Sequence, residues 1–262
     1  MAELFRLDGK VVVVVGAGSG IGEACALAIG GQGARTICLD IKGEHAAATA
    51  EKILAAGGRA ESGVLDLVDA DATTVAFEKV AVDTGRFDGL VCTPAINVRK
   101  PILKYTLDEF DRIVALNLRG NFAALMAAGR IMTARKSGSI VLFSSIRSVV
   151  TEPGQSVYAM TKAGILQLAK TAATEWAPHG VRVNAIGPGV IETPLTAPIK
   201  NNPEWYNAYA AKNPMNRWGQ PDEIAGPTVF LLSDAASYVT GTIVYADGGW
   251  LAADGRFTPP GM

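Results

Sequence analysis

The run Lys10-Val-Val-Val-Val-Val15 passes without a break into Gly16-Ala-Gly-Ser-Gly-Ile-Gly22. Five consecutive β-branched residues read as a short strand apolar on both faces, and such a strand belongs inside a parallel sheet. A helix is predicted directly after the glycines, over roughly 20–31, carrying Ile21, Ala24, Cys25, Ala28 and Ile29. A strict Gly-x-Gly-x-x-Gly spacing fails here. The spacing that fits is Gly-x-x-x-Gly-x-Gly, through Gly16, Gly20 and Gly22. Gly16 permits the tight turn, Gly20 lets backbone approach a pyrophosphate, and Gly22 lets the helix pack close to the sheet. The helix N-terminus would then face the phosphates. The competing reading is an ordinary glycine-rich strand–helix turn.

Arg35–Asp40 reads as a second strand ending in an acid. Asp40 lies close to the distance from Gly22 at which a carboxylate binds the adenosine ribose hydroxyls of a dinucleotide. A carboxylate there repels a 2′-phosphate, and the nearest cation after it is Lys42. The expected cofactor is therefore NAD rather than NADP; a solvated loop aspartate is the alternative.

The alternation continues. A helix is predicted over 43–57 and a strand over 60–65, followed by Asp66. A helix then covers 69–84 with Asp69 as its N-cap, a strand 87–92, and a long helix 107 to the low 130s. Strands follow at 139–143, 181–186 and 242–246, with helices at 156–177 and 221–233 between them. Strand and helix in turn imply an α/β fold with a doubly wound parallel sheet in a single domain, 1–262. Residues 194–220 interrupt the pattern with Pro194, Trp205, Tyr206 and Tyr209, and read as a substrate lid or a surface helical hairpin. A tail, 251–262, carries Phe257 and Pro259-Pro260 and is expected to dock on a neighbouring element or subunit.

Tyr158 and Lys162 share one face of the helix over 156–177, one turn apart. A free tyrosine is a poor base at neutral pH because its pKa lies near ~10. A nearby ammonium favours the phenolate, and one charge at about 4 Å supplies roughly the 4 kcal/mol that a shift of ~3 units needs. The pair is a candidate proton acceptor and donor. Asn117 sits in the apolar context Ala-Leu-Asn-Leu, where an amide must either tether backbone or belong to a site.

Charge is nearly balanced, with 24 Lys+Arg against 25 Asp+Glu and no long basic run, which argues against nucleic acid or an anionic membrane as partner. No apolar run reaches spanning length, and the start lacks the pattern of a secretory signal, so a cytoplasmic location is expected. Cys25, Cys38 and Cys92 are scattered in apolar settings, which reads as buried thiols rather than disulfides or zinc ligands. His45 and His179 stand alone, too few for a metal site or triad, and no metal is expected.

Gly16, Gly20 and Gly22, Asn117, Ser145, Tyr158-x-x-x-Lys162 and Pro188-Gly189 together resemble, in order and spacing, the short-chain dehydrogenase/reductase family, over about residues 8–250. The resemblance implies a seven-stranded Rossmann-type sheet, usually in a homotetramer or dimer. It implies Tyr158 as general acid/base, Lys162 as the group that lowers its pKa and holds the nicotinamide ribose, Ser145 as the hydrogen-bond partner of the reacting oxygen, and Asn117 as holder of a relay water. Ser19 and Ile21 would join the phosphate loop, Asp66 and Leu67 would meet the adenine, and Val190, Ile191 and Thr193 would meet the carboxamide. Two positions depart from the family pattern. Val15 stands where Thr is usual, and Cys92-Thr-Pro-Ala95 replaces Asn-Asn-Ala-Gly, so a structural hydrogen bond must come from elsewhere, with Thr93 the candidate. Further stretches, among them Ile96-Asn-Val-Arg-Lys-Pro101 and Arg217-Trp-Gly219, are similar to gluconate and deoxy-gluconate dehydrogenases of that family. Arg99 and Arg147 would follow strands at the carboxyl edge, where they would either clamp a substrate carboxylate or stand in solvent.

The implied function is NAD-dependent interconversion of a secondary alcohol and a ketone on a small-molecule substrate, a sugar acid, sugar or polyol. A 3-oxoacyl or general ketone reductase is the second reading, and a non-catalytic dinucleotide-binding regulator the third.

Overall fold

β1 (Val11–Val15) is buried along its whole length. Strand alternation sends Val11, Val13 and Val15 into one apolar core and Val12 and Val14 into another on the opposite face. A strand with two buried faces needs helices on both sides, and the rest of the chain supplies them. A computed structural model describes residues 2–253.

After β1 come α1 (Gly20–Gly31), β2 (Arg35–Asp40), α2 (Gly43–Ala55), β3 (Arg59–Val64), α3 (Ala70–Thr84) and β4 (Gly89–Cys92). The second half holds α4 (Leu107–Val114), α5 (Asn121–Arg135), β5 (Gly138–Phe143), α6 (Ser156–Trp176), β6 (Val181–Pro188), α7 (Ala197–Lys200), α8 (Pro203–Ala210), α9 (Asp222–Leu232) and β7 (Ile243–Ala246). The seven strands form one parallel sheet in the order β3-β2-β1-β4-β5-β6-β7. Phe77 of α3, Leu125 of α5 and Ile165 of α6 fill one core; Cys25 of α1, Ile53 of α2 and Leu231 of α9 fill the other. The strand order reverses direction between β1 and β4, which opens a crevice at the carboxyl ends of the strands.

Strand and helix positions follow the sequence expectation closely, and Asp69 caps α3 by accepting from the Ala72 N–H at 2.9 Å. The long helix expected from 107 to the low 130s needs correction. A π-helical stretch, Ala115–Gly120, separates α4 from α5. Asn121 Nδ2 donates to the carbonyls of Leu116 and Asn117, at 3.2 and 3.3 Å, and a side-chain amide bonded into the carbonyl ladder loosens it into a π turn.

The segment 194–220 holds α7 and α8. They fold over Trp218, which is buried with Ile199 and Ala210, stacks on Tyr206, and donates its indole N–H to the Tyr206 carbonyl. All three cysteines are buried and unpaired, and burial pushes each thiol up to about 12. Phe257 and Pro259-Pro260 of the tail lie outside the described residues.

Candidate active site

A cleft of about 480 Å³ runs along the crevice. One wall is the loop between β1 and α1. Gly16 holds a φ of 82°, and a Cβ there would meet Thr93 Oγ1 at 2.4 Å, so turn and close approach both demand glycine. A Cβ on Gly22 would lie 1.9 Å from the Gly16 carbonyl oxygen. Its closest approach is thus to the loop's own backbone, rather than to the sheet as expected. Ser19 occupies the N-cap position of α1, yet its side chain makes no capping bond, so its hydroxyl is available to the cleft it lines. Gly20 and Ile21 line the same wall.

The acids at the strand ends are held in place. Asp40 accepts the Gly18 N–H and the Lys42 N–H, each at 2.9 Å. Asp66 accepts the Val68 N–H at 2.9 Å. Both line the cleft, as does Leu67. On the opposite wall stand Pro188, Gly189, Ile191 and Thr193. Val190 departs from the group and faces a smaller adjoining cavity. The Thr193 hydroxyl shares a hydrogen bond with Thr196 Oγ1 at 3.2 Å. Glycine backbone at a helix N-terminus, with anchored acids at two strand ends, suits a dinucleotide.

The floor of the cleft carries Ser145, Tyr158 and Lys162. β5 ends at Phe143 and delivers Ser145; α6 delivers the other two. Lys162 is buried and its Nζ donates to the Phe143 carbonyl at 2.8 Å, while the Ser144 hydroxyl donates to the Lys162 carbonyl. The ammonium lies 5.5 Å from the centre of the Tyr158 ring. Burial pushes Lys162 down to about 8. Burial also raises the Tyr158 phenol above its ordinary value; the opposing pulls come from the Ser145 hydrogen bond and from the charges of Arg147 and Arg99. One Lys162 N–H is committed to Phe143, which leaves two for a partner in the cleft, and the charges of Arg147 and Arg99 pull on Tyr158 in the same direction as the Ser145 hydrogen bond.

Asn117 resolves as a tether. It is fully buried, its Oδ1 accepts the Ile96 N–H at 2.9 Å, and its Nδ2 donates to the Ile96 carbonyl at 2.9 Å and to Thr161 Oγ1 at 3.2 Å. It fixes the segment following β4 against α6; both of its amide hydrogens are committed, while Oδ1 keeps a second lone pair. The missing sheet hydrogen bond is replaced as expected: Thr93 Oγ1 donates to the Val15 carbonyl at 3.0 Å.

The smaller cavity, about 290 Å³, opens from Ser145, Tyr158 and Gly189. Arg99 and Arg147 both reach its wall, so the fold brings the two together. Neither stands free. Arg99 Nη1 donates to Glu152 at 2.6 Å, and Arg147 and the Tyr209 hydroxyl donate to the same carboxylate. Sequence reasoning missed Glu152, together with Asn97 and Gln155 of the same cavity. Asn97 donates to Gln155 at 3.1 Å, and its buried Oδ1 has no partner. Their signal was position: Asn97 just beyond β4, and Gln155 and Glu152 just ahead of Tyr158.

Comparison with known proteins fits this geometry. The family model described as enoyl-(acyl carrier protein) reductase matches residues 16–251. A 2-dehydro-3-deoxy-D-gluconate 5-dehydrogenase of Pseudoalteromonas atlantica is 37% identical over 255 residues, covering 96% of this chain and 99% of the relative. The chain belongs to the short-chain dehydrogenase/reductase family. It is an oxidoreductase fold with the family's serine, tyrosine and lysine gathered in one cleft. A 3-oxoacyl-acyl-carrier-protein reductase of Thermotoga maritima is also 37% identical, over 245 residues, covering 93% of this chain and 98% of the relative. A crystal structure of a gluconate 5-dehydrogenase from Burkholderia cenocepacia, in complex with NADP and tartrate, matches with a TM-score of 0.92 at 31% identity, covering 96% of this chain and 98% of that one.

Proposed function

We propose that this protein is an NAD(H)-dependent dehydrogenase that interconverts a secondary alcohol and a ketone on a sugar acid or a related polyol. The observation that carries this reading is the wall of the cavity beside Tyr158. It offers two arginines, Gln155 and a buried Asn97 oxygen without a donor. Substrate hydroxyls would supply that donor, and a substrate carboxylate would meet the arginines. An acyl chain would leave the Asn97 oxygen without a donor and give the arginines, already held by Glu152, no carboxylate to meet. The names of the gluconate and deoxy-gluconate relatives point the same way. The 3-oxoacyl reductase relative makes the second reading testable. Purified protein is expected to show the higher kcat/KM with an aldonic acid; a higher value with a 3-oxoacyl thioester would reverse the assignment.

A nicotinamide dinucleotide supplies the hydride acceptor or donor. The residues proposed to hold it are Gly16, Ser19, Gly20, Ile21, Gly22, Asp40, Asp66, Leu67, Lys162, Pro188, Gly189, Ile191 and Thr193, with Val190, which lines the adjoining cavity, contributing through its backbone. In oxidation, Ser145 orients the substrate hydroxyl and the Tyr158 oxygen takes its proton; in reduction Tyr158 returns it. Lys162, tethered through Phe143, holds its nitrogen 5.5 Å from the centre of the Tyr158 ring. Asn117 keeps the floor in register by joining Ile96 to Thr161.

Preference for NAD is proposed on Asp40. Its anchored carboxylate lines the cleft where the adenosine ribose would lie, and a 2′-phosphate placed there would meet its negative charge. Asp40→Ala is expected to shift the ratio of kcat/KM values toward NADP by about tenfold or more, the scale of one removed like-charge contact. An unchanged ratio sinks the ribose assignment.

The pH dependence follows from the free site. Tyr158 lies above its ordinary value, so its phenolate is scarce at neutral pH and grows as pH rises. Oxidation needs the phenolate. Its kcat/KM is expected to climb by about tenfold per pH unit on the acid side of the tyrosine pKa. Reduction needs the phenol and shows no such climb. A flat oxidation profile from neutral to alkaline pH contradicts this account. We further propose a cytoplasmic homotetramer, or dimer, with 194–220 acting as a substrate lid. Light scattering tests the assembly.

A further inference from the structure

Glu152 belongs to the loop that leads into α6, and both of its carboxylate oxygens are taken. Arg99 and the Tyr209 hydroxyl share one, and Arg147 holds the other. These contacts join three separate parts of the chain: the segment after β4, the loop after β5, and α8 in the region 194–220. The arginine of the β5 loop is deeply buried, with 6% of its side chain exposed, whereas Glu152 keeps 22%.

The arrangement has two sides. Arg99 and Arg147 are the charged side chains on the wall of the substrate cavity, among the described residues. Glu152 does not reach that cavity. It lines a second hollow of about 460 Å³ on the other side of Arg147 and Tyr209, beside Trp205, Lys212 and Trp250. Glu152 therefore backs the arginines from behind. Two positive charges face the substrate, and one negative charge behind them cancels one. Among Arg99, Arg147 and Glu152, which bond to one another, a single net positive charge remains.

We propose that Glu152 is a specificity-determining residue that trims the arginine pair to one net positive charge, matching the wall to a substrate with one carboxylate. This rests on the sugar-acid reading above. The carboxylate acts through the arginines and touches neither substrate nor cofactor. Tyr209 ties the same charge balance to α8, so the wall and the segment over it are set together.

The test compares an aldonic acid with the alditol of the same carbon skeleton, which differs by one carboxylate. Glu152→Gln keeps the shape and removes the trimming charge. The ratio of kcat/KM, acid over alditol, is expected to rise roughly tenfold, the scale of one added charge at a half-buried wall. The change should appear in KM for the acid, with kcat for the alditol held within about twofold. Arg99→Gln is expected to lower the same ratio by a similar factor. The double variant Glu152→Gln/Arg99→Gln restores one net charge and should return the ratio to near the wild-type value. Because Arg147 is the buried arginine that the single Glu152→Gln variant leaves unpaired, Glu152→Gln/Arg147→Gln serves as the companion double variant and should likewise return the ratio to near the wild-type value. A Glu152→Gln ratio that stays level or falls means that Glu152 only props the arginines, and overturns the proposal. So does a double variant that behaves like Arg99→Gln alone. In both cases, wild-type turnover of the acid leaves the sugar-acid reading standing. A wild-type protein that turns over the alditol and not the acid overturns the sugar-acid reading and this proposal with it.

Discussion

Tyr158→Phe is expected to lower kcat by about 10²–10⁴-fold in both directions, the span attributed to a positioned proton donor or acceptor. The substitution removes one oxygen. The ring keeps its place on α6, above the Lys162 nitrogen at 5.5 Å from its centre. Lys162 keeps its bond to Phe143, and the glycine loop is untouched. Cofactor affinity, read by fluorescence titration, should therefore stay within about twofold of wild type. Lost turnover with intact binding places the proton step on Tyr158. Turnover that survives the change would move the chemistry to another group, and loss of cofactor binding alongside would mean the variant had disturbed the site as a whole. A non-catalytic regulator would keep its function in the variant.

Gly22→Ala pits two effects of opposite sign against each other. Gly22 lies in the first turn of α1, where alanine is the better helix former by roughly 1 kcal/mol. Its new Cβ would stand 1.9 Å from the Gly16 carbonyl oxygen and 2.8 Å from Thr93 Oγ1. The obstacle is backbone, held from both ends. The Gly16 N–H donates to the Leu39 carbonyl at 2.8 Å, and on the other side of the Gly16 carbonyl the Ala17 N–H donates to the same acceptor at 3.1 Å. Relief requires α1 to slide or the loop to open, and overpacking of this kind costs about 1–3 kcal/mol. For a chain of this size that lowers Tm by roughly 2–4 °C per kcal/mol. Dinucleotide affinity should fall by about tenfold or more, because the displaced loop is the one proposed to cradle the phosphates. Gly226→Ala in α9 is the control, since a Cβ there meets nothing within 4 Å. It should be neutral or stabilising. If Gly22→Ala also stabilises and binds normally, the close-packed loop is not what holds the cofactor.

Much of this architecture was legible because buried parallel strands announce themselves. Val11–Val15 and Arg35–Asp40 stand out as apolar or β-branched runs between helix-forming stretches, and a parallel sheet leaves few other arrangements. Tyr158 and Lys162 were legible as a pair because helical spacing is local. The electrostatics of that pair was not. What the lysine nitrogen does depends on the Phe143 carbonyl, which belongs to a different strand. The π stretch was hidden for a similar reason: nothing in Ala115–Gly120 marks it, and Asn121 creates it by bonding carbonyls of the preceding turn. Arg99 and Arg147 could be placed at the sheet edge from sequence, but their shared partner could not. Glu152 is one acid among many in a loop, and only folding brings it within reach of an arginine 53 positions away. Thr93 was the exception among the long-range contacts, because the absence of asparagine after β4 left a hydrogen bond that its hydroxyl was in position to make.

The central claim is that a hydride leaves a hydroxylated carbon of a sugar acid for NAD in the cleft above Tyr158. The most direct measurement is isotope transfer. Wild-type protein is incubated with NAD and an aldonic acid carrying deuterium at its carbon-bound positions, and the reduced cofactor is examined by mass spectrometry. The account predicts NADH carrying one deuterium, together with a keto acid that has lost one. Absence of labelled NADH, with NAD binding independently confirmed, would contradict it.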